Sequence, residues 1–463
     1  MTDAPPPRPG PPLRLARRPV APQMLRFLRT EAGSAVLLLA AAVVAVVWAS
    51  SPWAGAYRTL WETPAGVTVG GRGLTMDLQA WVDEALMAVF FCVIGLEINR
   101  ELTTGELRNR RTAAVPALGA LGGLVVPALV FLAIAGRSDG ANGWGIPMST
   151  DTAFVVGVLA LFGPRCPDQL RLFLLTLAVV DDIGAIAVMA VFYTDHVSLP
   201  WLAVSAALVA VLVGLRVLGE WRLTPYVLTG LALWGAVHAS GVHATLAGVV
   251  FGLLVPAGLA RREDVERVPH YARSLSRDAT AESEHLTELA ARAAVPAAER
   301  LQRVLHPWSA YVVVPLFGLA NAGIDLTGGS LGEVASSPVT VGVVVALVAG
   351  KTVGVFGASA LALLSGVGEL PGRVRYTHLL GGSLLTGIGF TISLFITGLA
   401  FDDPALVEQA KVGVLTASVL AAVLGSVTLR FFGERSPLCT PDDDGPPAAL
   451  PPRPWVAPEA QPR

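Results

Sequence analysis

Apolar residues run in long blocks from about residue 32 to about residue 432. Each block is close to the roughly 20 residues that cross a bilayer as a helix, and polar residues collect between them. The pattern predicts twelve spans, near 33–50, 80–98, 112–135, 145–163, 170–193, 199–218, 224–239, 242–258, 307–325, 338–364, 376–400 and 405–432. Between the first two spans the pattern changes period. In TPAGVTVGGRGLTM, Val67 and Val69 alternate with Thr68, Gly70-Gly71 can turn, and Leu74 and Met76 resume the alternation. A small extracytoplasmic β-hairpin at 65–76 is expected there; it either covers the helix ends or pairs two subunits through their strands. Residues 259–305 form a cytoplasmic insertion rich in Arg, Glu and Ala, partly helical and amphipathic, and broken at Pro296. It reads as a solvated linker, with a regulatory segment as the alternative.

Composition fixes the class. Of 463 residues 53% are hydrophobic and 15% charged, and the mean hydropathy is +0.61. That balance excludes a soluble domain and predicts an all-α integral membrane protein with the lipid bilayer as its surroundings. The net charge of -2 says little, whereas the placement of the arginines says more. Six precede the first span, four (Arg100, Arg108, Arg110, Arg111) follow the second, and eight from Arg261 to Arg303 follow the eighth. Loops on the other side are almost bare. With an even number of spans, this asymmetry places both termini in the cytoplasm. The Pro/Arg-rich residues 1–30 and the Pro-rich tail 434–463 are expected to be disordered, flanking a membrane domain at 31–433. Arg17-Arg18 is not read as a twin-arginine signal, because the apolar run starts well after the pair and is long enough to span. Cys92, Cys166 and Cys439 fall in a span, a loop and the tail, which argues against a disulfide framework or a thiolate metal site. Neither a cofactor nor a nucleic-acid partner is expected.

Charges inside the spans are few. Asp151, Asp181, Asp182 and Lys351 lie deep, with Glu84, Glu97 and Lys411 nearer the ends. Each is a functional candidate, because an uncompensated charge in hydrocarbon is costly; mutual neutralisation as structural glue is the alternative. All but two of the 33 basic residues are arginine, the exceptions being Lys351 and Lys411. Guanidinium cannot release its proton and a buried ammonium can, so Lys351 reads as a dischargeable cation, or simply as a slimmer one. Adjacent carboxylates on a helix point about 100° apart. One of the Asp181–Asp182 pair can therefore face a water-filled funnel while the other meets a partner on a neighbouring helix. Hard monovalent cations prefer oxygen ligands, and protons compete with them for the same carboxylate oxygens. That competition is sufficient for exchange.

The fourth span gathers Gly145, Pro147, Ser149, Thr150 and Asp151, and the eleventh carries Gly381, Gly382, Gly387 and Gly389. Gly/Pro-interrupted segments at matching places in two halves point to broken helices around a midplane site, with glycine-mediated helix packing as the plainer alternative. If both are unwound, Asp151 would offset positive helix N-termini and Lys351 negative C-termini.

On these residues the chain resembles the NhaA-type sodium/proton antiporters. The matching stretches are ALMAVFFCVIGLEINREL, IPMSTDTAFVVGVLALFG, LAVVDDIGAIAV, SGVHATLAGVV, VLHPWSAYVVVPLFGLANAGI, GKTVGV and LLTGIGFTISLFITGLAF, in order across residues 25 to 432. The resemblance implies inverted-topology repeats with discontinuous, crossed fourth and eleventh helices. It implies that Asp182 is the principal Na+ or Li+ ligand and proton carrier, with Thr150 and Asp181 close by. Asp181 would pair with Lys351 until cation or proton movement breaks the pair, and Asp151 would be the electrostatic partner of the broken helices. Glu97, Arg100 and Glu101 match a cytoplasmic cluster linked to pH control; His243 and His306 match histidines near the gating machinery. The family further implies electrogenic exchange in sodium and pH homeostasis, and a homodimer helped by the hairpin. Two departures bear on the pH threshold: Gln302 and Arg303 stand where the family often has a Glu-His pair, and the 259–305 insertion is longer than usual.

No nucleophile elbow, phosphate loop or metal-hydrolase motif is present, so the reading is a secondary active transporter and not an enzyme. A sodium-coupled symporter of related architecture would need an organic-solute pocket, and no further polar constellation provides one. A channel would show acidic rings or repeated filter loops. A purely structural protein would keep four intramembrane charges without use.

Overall fold

The computed structural model describes residues 31–69, 72–108, 110–162, 168–194, 197–258, 262–325, 331–368 and 375–432. The two expected disordered tails, Cys166, Cys439, the Gly70-Gly71 turn and the first residues of the insertion lie outside these. The described chain is mainly helical. Among the described residues five continuous helices are long and apolar enough to cross a membrane: Ala113–Ala135, Leu170–Phe192, Leu199–Leu218, Pro338–Leu364 and Pro404–Phe431. Two bent pairs also qualify when each is taken as one span, Gly33–Ala49 with Ala54–Trp61 and Tyr376–Leu385 with Phe390–Ala400.

Several elements depart from the sequence pattern for local reasons. The expected span 242–258 holds only the helix Thr245–Leu254, about 15 Å long. Val255 precedes Pro256 and takes up extended backbone (φ −63, ψ 133), which stops the helix. The first span turns by 117° after Ala49 into Ala54–Trp61. The expected start at 307 is also moved, since the helix Ala297–Trp308 already begins within the insertion and continues through a π turn at Ser309–Val313 into Val314–Asn321. Strands Pro64–Val69 and Arg72–Asp77 pair antiparallel, with Gly66 opposite Thr75.

The helices sort into two bundles. In the first, Glu31–Ala49 packs on Val314–Asn321, and Met87–Thr103 packs on Thr245–Leu254, which adjoins Leu199–Leu218 and Leu223–Ser240. In the second, Arg110–Ala135 packs on Lys351–Leu364 and Asp168–Phe192, while Pro404–Phe432 holds Pro338–Val345 and Tyr376–Leu385. Glycines allow the closest approaches. Gly122 and Gly354 sit back to back, so a Cβ on either would strike the other's carbonyl, and this sets the helix that begins with Lys351 directly against Arg110–Ala135. The seam between bundles runs where Glu31–Ala49 meets Thr152–Phe162, Met87–Thr103 meets Asp168–Phe192 and Val314–Asn321 meets Phe390–Ala400. Ahead of Ala297–Trp308 the described part of the insertion holds the helices Arg262–Arg277 and Ala281–Ala293, packed on each other.

Candidate cation site

Two interrupted segments meet inside the second bundle. A 3₁₀ segment, Ala141–Met148, ends at Ser149, whose extended backbone (φ −97, ψ 154) leads to Asp151 before the helix Thr152–Phe162 begins. The Tyr376–Leu385 helix stops at Thr386 and resumes as Phe390–Ala400 with a 44° bend. The broken ends satisfy one another. Asp151 N donates to the Ile388 carbonyl at 2.6 Å, Thr150 Oγ1 to the Thr386 carbonyl at 3.0 Å, and Ser393 Oγ to the Ile146 carbonyl at 2.7 Å. In an apolar environment unwound backbone survives only when its polar groups find such partners.

Asp151 caps two helices at once. Its Oδ1 accepts from Phe154 N at 3.0 Å; its Oδ2 accepts from Thr391 N at 3.0 Å and Thr391 Oγ1 at 2.7 Å. One buried carboxylate thus faces the N-terminal ends of Thr152–Phe162 and Phe390–Ala400, where unpaired N–H groups and both helix dipoles favour negative charge.

Asp181 and Asp182 lie midway along Asp168–Phe192 and diverge as neighbours on a helix must. Asp181 is fully buried and its Oδ2 accepts from Lys351 Nζ at 2.6 Å. Lys351, equally buried, follows a π turn at Ala346–Gly350 and also donates to the carbonyl of Met148, the last residue of the 3₁₀ segment. Its positive charge therefore stands at a helical C-terminal end, the counterpart of Asp151 at the N-terminal ends. Thr150 lies against Asp181. Asp181 Oδ1, Asp182 Oδ1 and Ser149 Oγ are buried with no hydrogen-bond partner. Unmatched buried oxygens are costly unless a proton or cation meets them.

Asp182 lines a cavity of about 140 Å³, room for several waters. Asp151, Thr391, Glu97, His306 and Ser34 share its lining, and Asp181, Thr150 and Lys351 are not part of it. The cavity draws on both bundles, so it sits on the seam. Among the described residues no three His, Cys, Asp or Glu side chains converge as a resident metal centre requires.

The structure separates the residues grouped by sequence as pH-linked. Glu97 and His306 line the cavity. Arg100 and Glu101 form a 3.8 Å ion pair nearer the helix end, Arg100 half exposed. His243 lies elsewhere, with Nδ1 3.8 Å from Glu84 Oε1 and Nε2 2.7 Å from the Tyr193 carbonyl. Tyr193 in turn fixes the 3₁₀ segment, its hydroxyl donating to the Asn142 carbonyl at 2.7 Å and accepting from Gly145 N at 3.0 Å. Gln302 and Glu299 border a separate cleft between the insertion and Arg100. Sequence reasoning passed over Thr391, Ser393, Tyr193 and Asp83; the first two stand in the GFTISLF stretch and could have been flagged as hydroxyls beside an expected break.

A model of the family described as Na+/H+ antiporter 1 matches residues 25–429. The chain is 60% identical over 453 residues to a Na(+)/H(+) antiporter NhaA 3 of Frankia alni, with 98% of each chain covered. It is 43% identical over 430 residues to a Na(+)/H(+) antiporter NhaA of Rhizobium meliloti, covering 90% of this chain and 97% of that one. To a Na(+)/H(+) antiporter NhaA 1 of Mycolicibacterium gilvum it is 44% identical over 408 residues, covering 88% of this chain and 66% of that one. Among solved structures, the sodium proton antiporter MjNhaP1 of Methanocaldococcus jannaschii aligns at a TM-score of 0.43 and 12% identity, covering 87% of this chain and 92% of that one.

Proposed function

The chain belongs to the Na+/H+ antiporter 1 family, and from that premise we propose that this multi-pass membrane protein exchanges Na+ for H+ at the Asp181–Asp182 pair. The observation that carries the assignment of residues is the division of labour between adjacent carboxylates: Asp182 lines the cavity and Asp181 is held by Lys351.

The cycle follows from that arrangement. With its proton gone, Asp182 attracts a cation entering through the cavity, and the Asp181 Oδ1 and Asp182 Oδ1 oxygens are the ones without a partner to complete its shell. Thr150 beside Asp181 adds an oxygen. Cation binding draws Asp181 away from Lys351, whose buried ammonium can then lose its proton. Protons arriving from the other side return to Asp182 and to Lys351 and evict the cation, because two positive species cannot share the same oxygens at low dielectric, and the Asp181–Lys351 pair re-forms. Asp151 keeps the N-terminal ends at the unwound segments compensated throughout.

The finer reading rests on the resemblance and the charge pattern. Twelve spans with inverted repeats and crossed broken helices would place both termini in the cytoplasm of a bacterial inner membrane, with the cavity opening to the same side. Exchange would be electrogenic, accept Li+, serve sodium and pH homeostasis, and be tuned by pH through Glu97, Arg100, Glu101, His243 and His306. Tails at 1–30 and 434–463 would flank the membrane domain 31–433, and two copies would pair through strands 65–76. The test is a pH-dependent Na+/H+ exchange assay in everted vesicles, wild type against Asp182→Asn. Loss of exchange with intact folding is expected; measurable exchange by Asp182→Asn would remove Asp182 from the central role.

A further inference from the structure

The 3₁₀ segment Ala141–Met148 is eight residues long, whereas 3₁₀ runs beyond about four residues are uncommon. It is held from outside. Tyr193 follows directly on the helix Asp168–Phe192, its N–H still bonded to the Met189 carbonyl at 3.2 Å, and its side chain is buried. The phenol hydroxyl enters the ladder of the segment itself. It donates to the Asn142 carbonyl at 2.7 Å and accepts from Gly145 N at 3.0 Å, and these two groups are the i and i+3 pair of one 3₁₀ turn. Gly145 makes room for it, since a Cβ there would lie 2.6 Å from the hydroxyl oxygen. The Trp144 ring lies beside the Tyr193 ring, with centroids 6.2 Å apart. The backbone of Tyr193 is fixed as well, its carbonyl 2.7 Å from His243 Nε2.

The clamp bears on the acceptor of Lys351. Met148 ends the segment one 3₁₀ turn beyond Gly145, and its carbonyl is among those that a helix end leaves without an internal partner. Lys351 Nζ donates to that carbonyl and, at 2.6 Å, to Asp181 Oδ2. Asp181 and Tyr193 stand about 18 Å of rise apart on one run of helix. A single helix therefore carries the carboxylate partner of the ammonium and the hydroxyl that aims its carbonyl partner. From the opposite broken segment Ser393 Oγ holds the Ile146 carbonyl at 2.7 Å, so the run from Asn142 to Met148 is fixed on two sides.

We propose that Tyr193 is a positioning residue of the exchange: its hydroxyl, bridging Asn142 and Gly145, aims the Met148 carbonyl at Lys351 and so favours the state in which the ammonium is paired with Asp181 and no cation is bound. The inference rests on the exchange reading above. Tyr193 does not line the cavity and acts through Lys351. A charged donor makes a hydrogen bond roughly twice as strong as a neutral one. Misaiming the Met148 carbonyl therefore costs the ammonium state more than the cation-loaded state, in which Lys351 has given up its proton, and Na+ should compete better.

The test is Na+ affinity at the pH of half-maximal exchange, read as KM in proteoliposomes and as Kd by calorimetry on the purified full-length protein. Tyr193→Phe keeps the ring beside Trp144 and removes only the bridging oxygen. It should lower both constants about threefold, as the loss of part of one hydrogen bond requires, with a maximal rate no higher than wild type. Gly145→Ala, which displaces the hydroxyl from the other side, should move both constants the same way, and it decides the matter should Tyr193→Phe fail to fold. General damage to the site would raise them instead. In a Lys351→Ala background Tyr193→Phe should leave the Kd unchanged, because the group through which it acts is gone. Unchanged or raised constants in the folded single variants would overturn the positioning role, as would a Kd shift that persists without Lys351. Asp182→Asn separates the two claims: if Na+ affinity ignores Tyr193→Phe while Asp182→Asn is inactive, the exchange reading stands and the role of Tyr193 falls.

Discussion

Lys351 Nζ stands 2.6 Å from Asp181 Oδ2 with neither side chain exposed to solvent, and the same ammonium donates to the Met148 carbonyl at the end of the interrupted 3₁₀ segment. The pair is thus a joint between three elements as well as an ion pair. Breaking one partner of a buried pair leaves an uncompensated charge and costs about 3–5 kcal/mol, whereas replacing both by apolar groups is often neutral. Lys351→Ala is therefore expected to lower the melting temperature markedly and weaken or alter exchange. Asp181→Leu with Lys351→Met should recover most of the stability yet none of the exchange. If that double variant transports normally, the pair is glue and not machinery; thermal melts in detergent alongside vesicle assays distinguish the cases.

Asp151 makes a different prediction because it caps two helices. Each lost cap costs about 0.5–2 kcal/mol, typically about 1. Asp151→Ala should remove both and destabilise by about 2 kcal/mol, while Asp151→Asn keeps one acceptor oxygen and should lose less. Exchange should fall in the same order, since the helix ends that Asp151 compensates frame the cavity wall at Thr152 and Thr391. A melting series in which Asp151→Asn is as unstable as Asp151→Ala would contradict double capping.

Rivalry between cation and proton predicts a heat signature. Titrating Na+ into purified protein near the pH of half-maximal exchange should release protons, so the measured enthalpy should vary linearly with the ionisation enthalpy of the buffer. Asp182→Asn should abolish both binding and the buffer dependence. Sodium binding whose heat is the same in every buffer at all pH values would remove the shared-oxygen mechanism.

Asp181, Asp182 and Lys351 were visible in sequence because a charge deep in an apolar run has few innocent explanations. Asp151 was visible for the same reason, and its place between Gly/Pro-rich stretches foretold unwound backbone. What sequence could not supply was pairing across the fold. Whether Asp151 meets Thr391 or Lys351 depends on how two distant segments cross, and Tyr193 reveals its hold on Gly145 only once Asp168–Phe192 lies beside the 3₁₀ segment. Asp83 escaped notice because it stands beside Trp81 at a span's edge, where charge is ordinary, and its partner Asn321 is uncharged. Span lengths were harder still: the block around 242–258 is uniformly apolar enough to hide Val255-Pro256, and the helix that enters the block at 307 starts at Ala297, in the charged insertion before it.

His306 gives the last prediction. Its ring lines the cavity with Glu97 and Asp182, on a helix that begins in the insertion at Ala297, where Arg300 is anchored to the Trp221 carbonyl and stacks over the Trp221 ring. His306→Ala should shift the pH profile of exchange at most and leave the maximal rate close to wild type, because the Asp181 and Asp182 oxygens that take the cation are untouched. Arg300→Ala, which releases the helix from Trp221 without touching the cavity, should leave the maximal rate close to wild type as well. A His306→Ala protein that loses exchange at every pH would show that the ring belongs to the transport site itself.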